Sequence, residues 1–218
     1  MRILIIAPHA DDEVLGCGGT IAKYTKRKDK VCLCIMTKAY IPDWSKKFLK
    51  NRPEEIKMVN KILGINKTFC LDYPTAKLNT ISQKELNDEI LKIIDKVKPD
   101  IMYIPHSGDL HKDHRIIFES SLVAIKSTKN RIRKILSYET LSETDLQQSM
   151  APFIPNVYVD IQDTFEKKIK AMKAYKSELK QYPHPRSLEI IKALAEKRGS
   201  EVGLKFAEAF MLVREVML

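Results

Sequence analysis

The chain has 218 residues, 44% of them hydrophobic and 30% charged, with a formal net charge of +10. That length supports one sizeable core, and seven glycines with ten prolines are too few for a fibrous or low-complexity protein. The positive surplus favours anions, but the lysines are spread over stretches such as "KYTKRKDK" and "FEKKIKAMKAYK", and aromatic residues do not alternate with them; solvated helix faces are expected, and no nucleic-acid partner.

The opening "RILIIA" (2–7) is a β-branched apolar run typical of a buried parallel strand, and "VCLCIM" (31–36) is another. Between them "GGTIAKYTKRK" predicts a helix starting near Gly19 and Thr20, which completes a βαβ unit. "RPEEIKMVNKILGI" (52–65) reads as an amphipathic helix with Pro53 in its first turn and Gly64 as its stop. A strand at 67–72 follows, then a helix at 82–100 opened by Ser82 and Glu85, then the buried strand "IMYIP" at 101–105. Beyond it the pattern predicts a helix at 113–127, strands at 134–139 and 157–161, and helices near 163–180 and 187–198. The final "AEAFMLVREV" returns to the sheet. This alternation predicts an α/β fold, a mostly parallel, doubly wound sheet flanked by helices, in one domain over residues 1–218.

Cys17, Cys32, Cys34 and Cys70 form neither a CxxC pair nor a structural zinc spacing. Cys32 and Cys34 share a strand face and read as buried free thiols, and Cys17 as a small packing residue. The apolar run at the N-terminus is too short for a signal-peptide core, and nothing approaches a membrane span. A cytoplasmic location is expected.

Two polar clusters follow predicted strands. His9, Asp11, Asp12 and Glu13 come after the first, in "PHADDE"; His106, Asp109, His111, Asp113 and His114 come after "IMYIP", in "HSGDLHKDH". Four of the five histidines lie in these two places. Ligands of doubly wound sheets bind beyond the carboxyl ends of the strands, so both clusters fall where a site is expected. Imidazoles with carboxylates suit zinc or another first-row divalent ion, with a free acid to take a proton from water. Adjacent acids point in different directions, so one can ligate while its neighbour faces water, and a cation relieves their repulsion. Glu13 reads equally as a helix-dipole acid or as support for the site. Spacing does not decide whether His111 or His114 is a ligand. No P-loop, GxGxxG or GxSxG motif is present.

"PHADDE" followed by "LGCGGTIA", with "HKDH" about a hundred residues on, resembles the PIG-L/LmbE-like N-acetylglucosaminyl deacetylases, a zinc-dependent, Rossmann-like family. The resemblance implies His9, Asp12 and His114 as metal ligands, for Zn2+ or another divalent ion such as Fe2+. It implies Asp11 as general base, His111 as general acid or electrophilic partner, and Asp113 as the group orienting an imidazole. Arg52 corresponds to an arginine reaching the substrate pocket, although a surface arginine at a helix start is the plain alternative. Ala10 stands where the family has proline, and Glu178 in "KSE" replaces its usual glutamine, which puts that glutamine's role in doubt. His184, in "YPHPRS", reads as a turn residue or a pocket residue. The implied activity is hydrolysis of the acetamide of an N-acetylated amino sugar, a small sugar or glycoconjugate, by an enzyme that assembles as a homo-oligomer, a trimer or hexamer. The charge favours an acidic or phosphorylated derivative. A deacylase of a non-sugar amide and a non-catalytic binding module are the rival readings.

Overall fold

Strand β1 (Arg2–Ala7) is the apolar N-terminal run, and its residues Ile3 to Ala7 are fully buried. In the computed structural model, which describes residues 1–146 and 151–217, it lies inside a seven-stranded sheet. With β2 (Lys30–Lys38), β3 (Lys67–Pro74), β4 (Ile101–Ile104), β5 (Lys134–Tyr138), β6 (Val157–Asp160) and β7 (Ala207–Glu215), the strand order is β3-β2-β1-β4-β5-β7-β6. β1 pairs in parallel with β2 and β4, and only β7 runs antiparallel to its neighbours β5 and β6. The fold is a Rossmann-like α/β sheet, as the alternating pattern predicts.

Successive side chains of a strand face opposite ways, and the two faces build separate cores. Ile3, Ile5, Ala7, Leu33 and Tyr103 pack on one side with α1 (Asp12–Lys26), α2 (Lys46–Leu63), α5 (Phe165–Ala174) and α6 (Leu188–Ser200). Leu4, Ile6, Cys34, Met36 and Met102 pack on the other with α3 (Gln83–Val97) and α4 (Lys112–Ser127). The chain steps outward from β1 to β2 and β3, then returns to β4 on the opposite flank of β1. That reversal between β1 and β4 opens the crevice where such sheets bind ligands, and both polar clusters sit on its rim.

Two helices begin earlier than the sequence pattern predicts. α1 starts at Asp12, so Gly16 and Gly18 lie inside it rather than before it, and Gly19 lies well inside it rather than at its start. Glycine weakens a helix by about 1 kcal/mol relative to alanine; here contact requires it. A Cβ on Gly16 would lie 2.3 Å from Tyr138 Cδ2, and one on Gly19 2.7 Å from Ile161 Cγ2. Beside them the buried Lys168–Glu208 pair (2.6 Å) engages the helix backbone: Gly19 and Thr20 N–H donate to Glu208, and Lys168 Nζ donates to the Leu15 carbonyl. α2 starts at Lys46, capped by Ser45, whose Oγ accepts from Phe48 N–H at 3.1 Å. Pro53 therefore sits inside that helix rather than in its first turn. The helix predicted at 163–180 ends at Ala174.

Cys17, Cys32, Cys34 and Cys70 are free thiols; Cys17 and Cys34 are buried, Cys32 is half-buried and Cys70 exposed. No helix among the described residues is long and apolar enough to cross a membrane.

Gly16→Ala is expected to destabilise the fold by about 1–3 kcal/mol through the clash with Tyr138, read as a lowered thermal midpoint. An unchanged midpoint would contradict the close approach of α1 to β5.

Candidate active site

Pro8 and His9 follow the end of β1, and α1 opens with Asp12; across the crevice, the loop after β4 leads into α4, whose first turn carries His114. His9 Nδ1, Asp12 Oδ2 and His114 Nε2 form a near-equilateral triangle, each separation being 3.3 Å. That edge is what donors have around a four-coordinate ion bonded at about 2.0–2.1 Å. Asp12 is fully buried; its Oδ2 accepts from His9 N–H at 2.8 Å, while Oδ1 has no hydrogen-bond partner among the described residues. A buried carboxylate oxygen without a donor is costly, and a cation beside it removes the cost.

Both imidazoles are fixed from behind. His9 Nε2–H points to Asp113 Oδ2 (3.1 Å) and His114 Nδ1–H to Asp109 Oδ2 (2.7 Å). Each carboxylate therefore places the proton on the outer nitrogen and turns the other lone pair into the triangle. Asp113 is itself held by Ala76 N–H (2.7 Å) and Leu78 N–H (3.2 Å), and Asp109 by the Thr144 hydroxyl (2.6 Å). His9, His111 and Asp113 form a second set of close donor atoms, but the Asp113 oxygens are already satisfied, so the first set fits a cation better.

The cluster's electrostatics agree. Burial lowers the His9 imidazole, yet hydrogen bonds to Asp113 and Asp12 outweigh it and raise it to about 9. His114 is likewise raised well above its usual value, with Asp12 and Asp109 overcoming burial. Asp12 is held well below the usual carboxylate range by the two imidazoles, although burial opposes this. Protons gather where a cation would sit. Two imidazoles and a carboxylate suit zinc or ferrous iron.

Asp11 faces elsewhere. Its backbone adopts φ 139°, ψ −27°, a strained conformation for a residue with a side chain, which lets two adjacent acids diverge. Glu13 holds it there, accepting Asp11 N–H at 3.0 Å with one oxygen and the Tyr175 hydroxyl at 2.6 Å with the other. Glu13 is fully buried, so it supports the site as well as lying in the first turn of α1. Asp11 Oδ2 accepts from Arg186 Nη1 at 3.0 Å. Burial raises the Asp11 carboxyl well above its usual range, against the pull of Arg186. His111 caps α4, its Nδ1 accepting Asp113 N–H at 3.1 Å, which leaves the ring proton on Nε2. Burial, then the charges of His9 and His114, lower its pKa to about 4.

These groups open on a cavity of about 480 Å³ lined by His9, Asp11, His111, Arg52, Glu178 and Arg186, with an apolar wall from residues 44–56. Arg52 lies in that wall, its Nη1 donating to the Ala10 carbonyl at 2.8 Å and its Nη2 meeting Glu178. It is thus a pocket arginine within α2, not a surface one at the helix start. His106 does not join the cluster: its Nε2 pairs with the Ala151 carbonyl at 2.8 Å. His184 is an exposed turn residue, its Nδ1 accepting Arg186 N–H. The motif reading gave Asp109 and Arg186 no role. Asp109 was visible in "HSGDLHKDH", five residues before His114, but Arg186 lies 175 residues from Asp11 and carries no local signal.

The family model for PIG-L, GlcNAc-PI de-N-acetylase, matches residues 4–125, more than half of the chain. The chain belongs to the PIG-L family. It is 30% identical over 184 residues to the uncharacterized deacetylase YaiS of Escherichia coli (strain K12), an alignment covering 80% of this chain and 90% of that relative. It is 25% identical over 238 residues to the diacetylchitobiose deacetylase of Thermococcus kodakarensis, covering 100% and 85%. The conserved protein TT1542 of Thermus thermophilus shares the fold, with a TM-score of 0.82 at 24% identity over 100% of this chain and 97% of that one.

Because the hydrogen bonds to Asp113 and Asp12 push the His9 imidazole up to about 9, zinc uptake at pH 7 is expected to release protons, and affinity to rise with pH toward about 9. Calorimetry in buffers of different ionisation heat checks this; pH-independent uptake would contradict it. Asp109→Ala is expected to weaken zinc binding about 10–100-fold.

Proposed function

We propose that this PIG-L protein is a metal-dependent N-deacetylase that hydrolyses the acetamide of an N-acetylglucosamine-type sugar derivative to acetate and the free amine, within a single domain. The observation that carries the reading is the triangle of His9, Asp12 and His114 with an unpartnered buried oxygen, set beside a cavity that Asp11 and His111 also reach. His9, Asp12 and His114 are the ligands in this reading, with zinc or ferrous iron as the ion. The ion supplies Lewis acidity toward the acetamide carbonyl and lowers the pKa of water. The free thiols fit a reducing cytoplasm.

Asp11 takes the proton from the attacking water. Its strained backbone and its Arg186 contact fix the carboxylate, and its raised pKa suits a base that must later return the proton. The amine leaving group receives that proton as the C–N bond breaks. His111 acts as an electrophile rather than a reservoir of protons: with Nδ1 accepting from the backbone, neutral Nε2–H donates to the oxygen on which negative charge develops. Asp113 and Asp109 hold His9 and His114 in the tautomers that expose their inner nitrogens.

Acetate release from N-acetylglucosamine derivatives, with zinc-loaded and metal-free protein, tests the reading. Asp11→Asn is expected to lower kcat about 10²–10⁴-fold with zinc retained, and His111→Ala about 10²–10³-fold. Turnover surviving in Asp11→Asn would contradict the assignment of the base. Since His111 is neutral above about pH 4, no loss of kcat from its deprotonation is expected between pH 6 and 8. A descending limb in that range, absent from His111→Ala, would make it a general acid instead. Zinc binding with no turnover of any sugar would favour a non-sugar amide.

A further inference from the structure

The cavity does not share the chain's positive surplus. Its lining carries three cations, Lys38, Arg52 and Arg186, and three carboxylates, Asp11, Asp72 and Glu178. Each cation is already paired. Lys38 lies 3.4 Å from Asp72, and Arg186 meets Asp11 at 3.0 Å and Glu143 at 3.3 Å. Glu178 joins the two arginines, one oxygen on Arg52 and the other 3.2 Å from Arg186 Nη1. Glu55 also lies 3.6 Å from Arg52 Nε. An anionic ligand entering here would have to displace a carboxylate from each guanidinium, and would meet Glu178 as a like charge.

The rest of the wall around Arg52 is apolar and aromatic. Trp44, Phe48, Leu49 and Ile56 line it, and Trp44 is the chain's one tryptophan. The indole is held edge-on by Tyr40 at 5.4 Å between centroids, and Lys77 lies over the Tyr40 ring at 4.4 Å. Phe48 is backed by the Arg52 guanidinium at 4.4 Å. Aromatic side chains fixed in this way offer a flat, pre-ordered surface to a ring. A cavity of about 480 Å³ is within the usual range for drug-sized ligands, with room for a glycoside.

We propose that the site selects an uncharged N-acetylamino-sugar glycoside bearing an aromatic or apolar aglycone, with Glu178, Asp11, Glu143 and Glu55 together offsetting the charge of Arg52 and Arg186 and the Trp44–Phe48 wall receiving the aglycone. This deepens the deacetylase reading and rests on it. It reverses the inference from net charge, because the surplus lysines lie outside the cavity.

The test compares phenyl N-acetylglucosaminide, N-acetylglucosamine and N-acetylglucosaminyl malate as substrates of the zinc-loaded protein. Wild type is expected to favour the phenyl glycoside over the malate glycoside by about tenfold or more in kcat/KM. Glu178→Gln keeps the shape, unmasks the arginines, and is expected to shift that ratio about tenfold toward malate. Trp44→Ala is expected to raise KM for the phenyl glycoside several-fold more than KM for N-acetylglucosamine. A wild-type preference for malate overturns the proposal without any variant, and so does a ratio unmoved by Glu178→Gln. Acetate from none of the three overturns the deacetylase reading, while calorimetric binding of the same ligands still decides the charge preference. Binding of none overturns both.

Discussion

A buried carboxylate, one of whose oxygens has no hydrogen-bond donor among the described residues, governs this structure. Asp12 is enclosed between His9 and His114 at the carboxyl end of β1. An isolated buried anion costs several kcal/mol, so its surroundings must either protonate it or supply positive charge. Two imidazolium groups or a divalent ion can supply that charge. Strand order turns this need into geometry. Only because β4 lies beside β1 does the loop after β4 bring His114 across to Asp12.

Five acids crowd one end of the sheet, and their partners give each a different task. Asp12 is kept ionised by imidazoles; Asp113 and Asp109 anchor those imidazoles; Glu13 pins the backbone of Asp11; and Asp11 is left facing the cavity. Burial raises the Asp11 carboxyl, and it raises Glu13 to about 7, with the Tyr175 hydrogen bond opposing. Environments that push neighbouring carboxyls apart are how one site holds both a ligand and a base. The strained φ of Asp11 is part of the same device, since ordinary helix-cap geometry would not separate adjacent side chains so far. The glycines of α1 and the Lys168–Glu208 pair seat the helix close enough to the sheet for Asp12 to reach the triangle.

Much of this was legible in the sequence, for identifiable reasons. Buried parallel strands are short β-branched runs, so the bounds of β1, β2 and β4 are readable to within two residues. The motif residues lie next to strand ends, where the fold concentrates ligands. What escaped has physical causes too. The helix start is read too late, near Gly19, because the role of the glycines in α1 depends on Tyr138 and Ile161, more than a hundred residues away. The start of α2 was hidden by Pro53, which reads as a first-turn residue although seven helical residues precede it. Arg186 could not be found from spacing, since tertiary contact alone brings it to Asp11. Glu178 stood out as a departure from the family pattern, but its meaning appears only when both arginines are seen on it.

The proposed deacetylase depends on Asp12, His9 and His114 holding one divalent ion. X-ray absorption of zinc-loaded protein, with metal stoichiometry measured alongside Asp12→Ala, tests it most directly. One zinc per chain surrounded by two imidazoles and carboxylate oxygen is expected, with loss of tight zinc binding in the variant. Zinc bound equally well by Asp12→Ala, or a coordination shell lacking histidine, would contradict it.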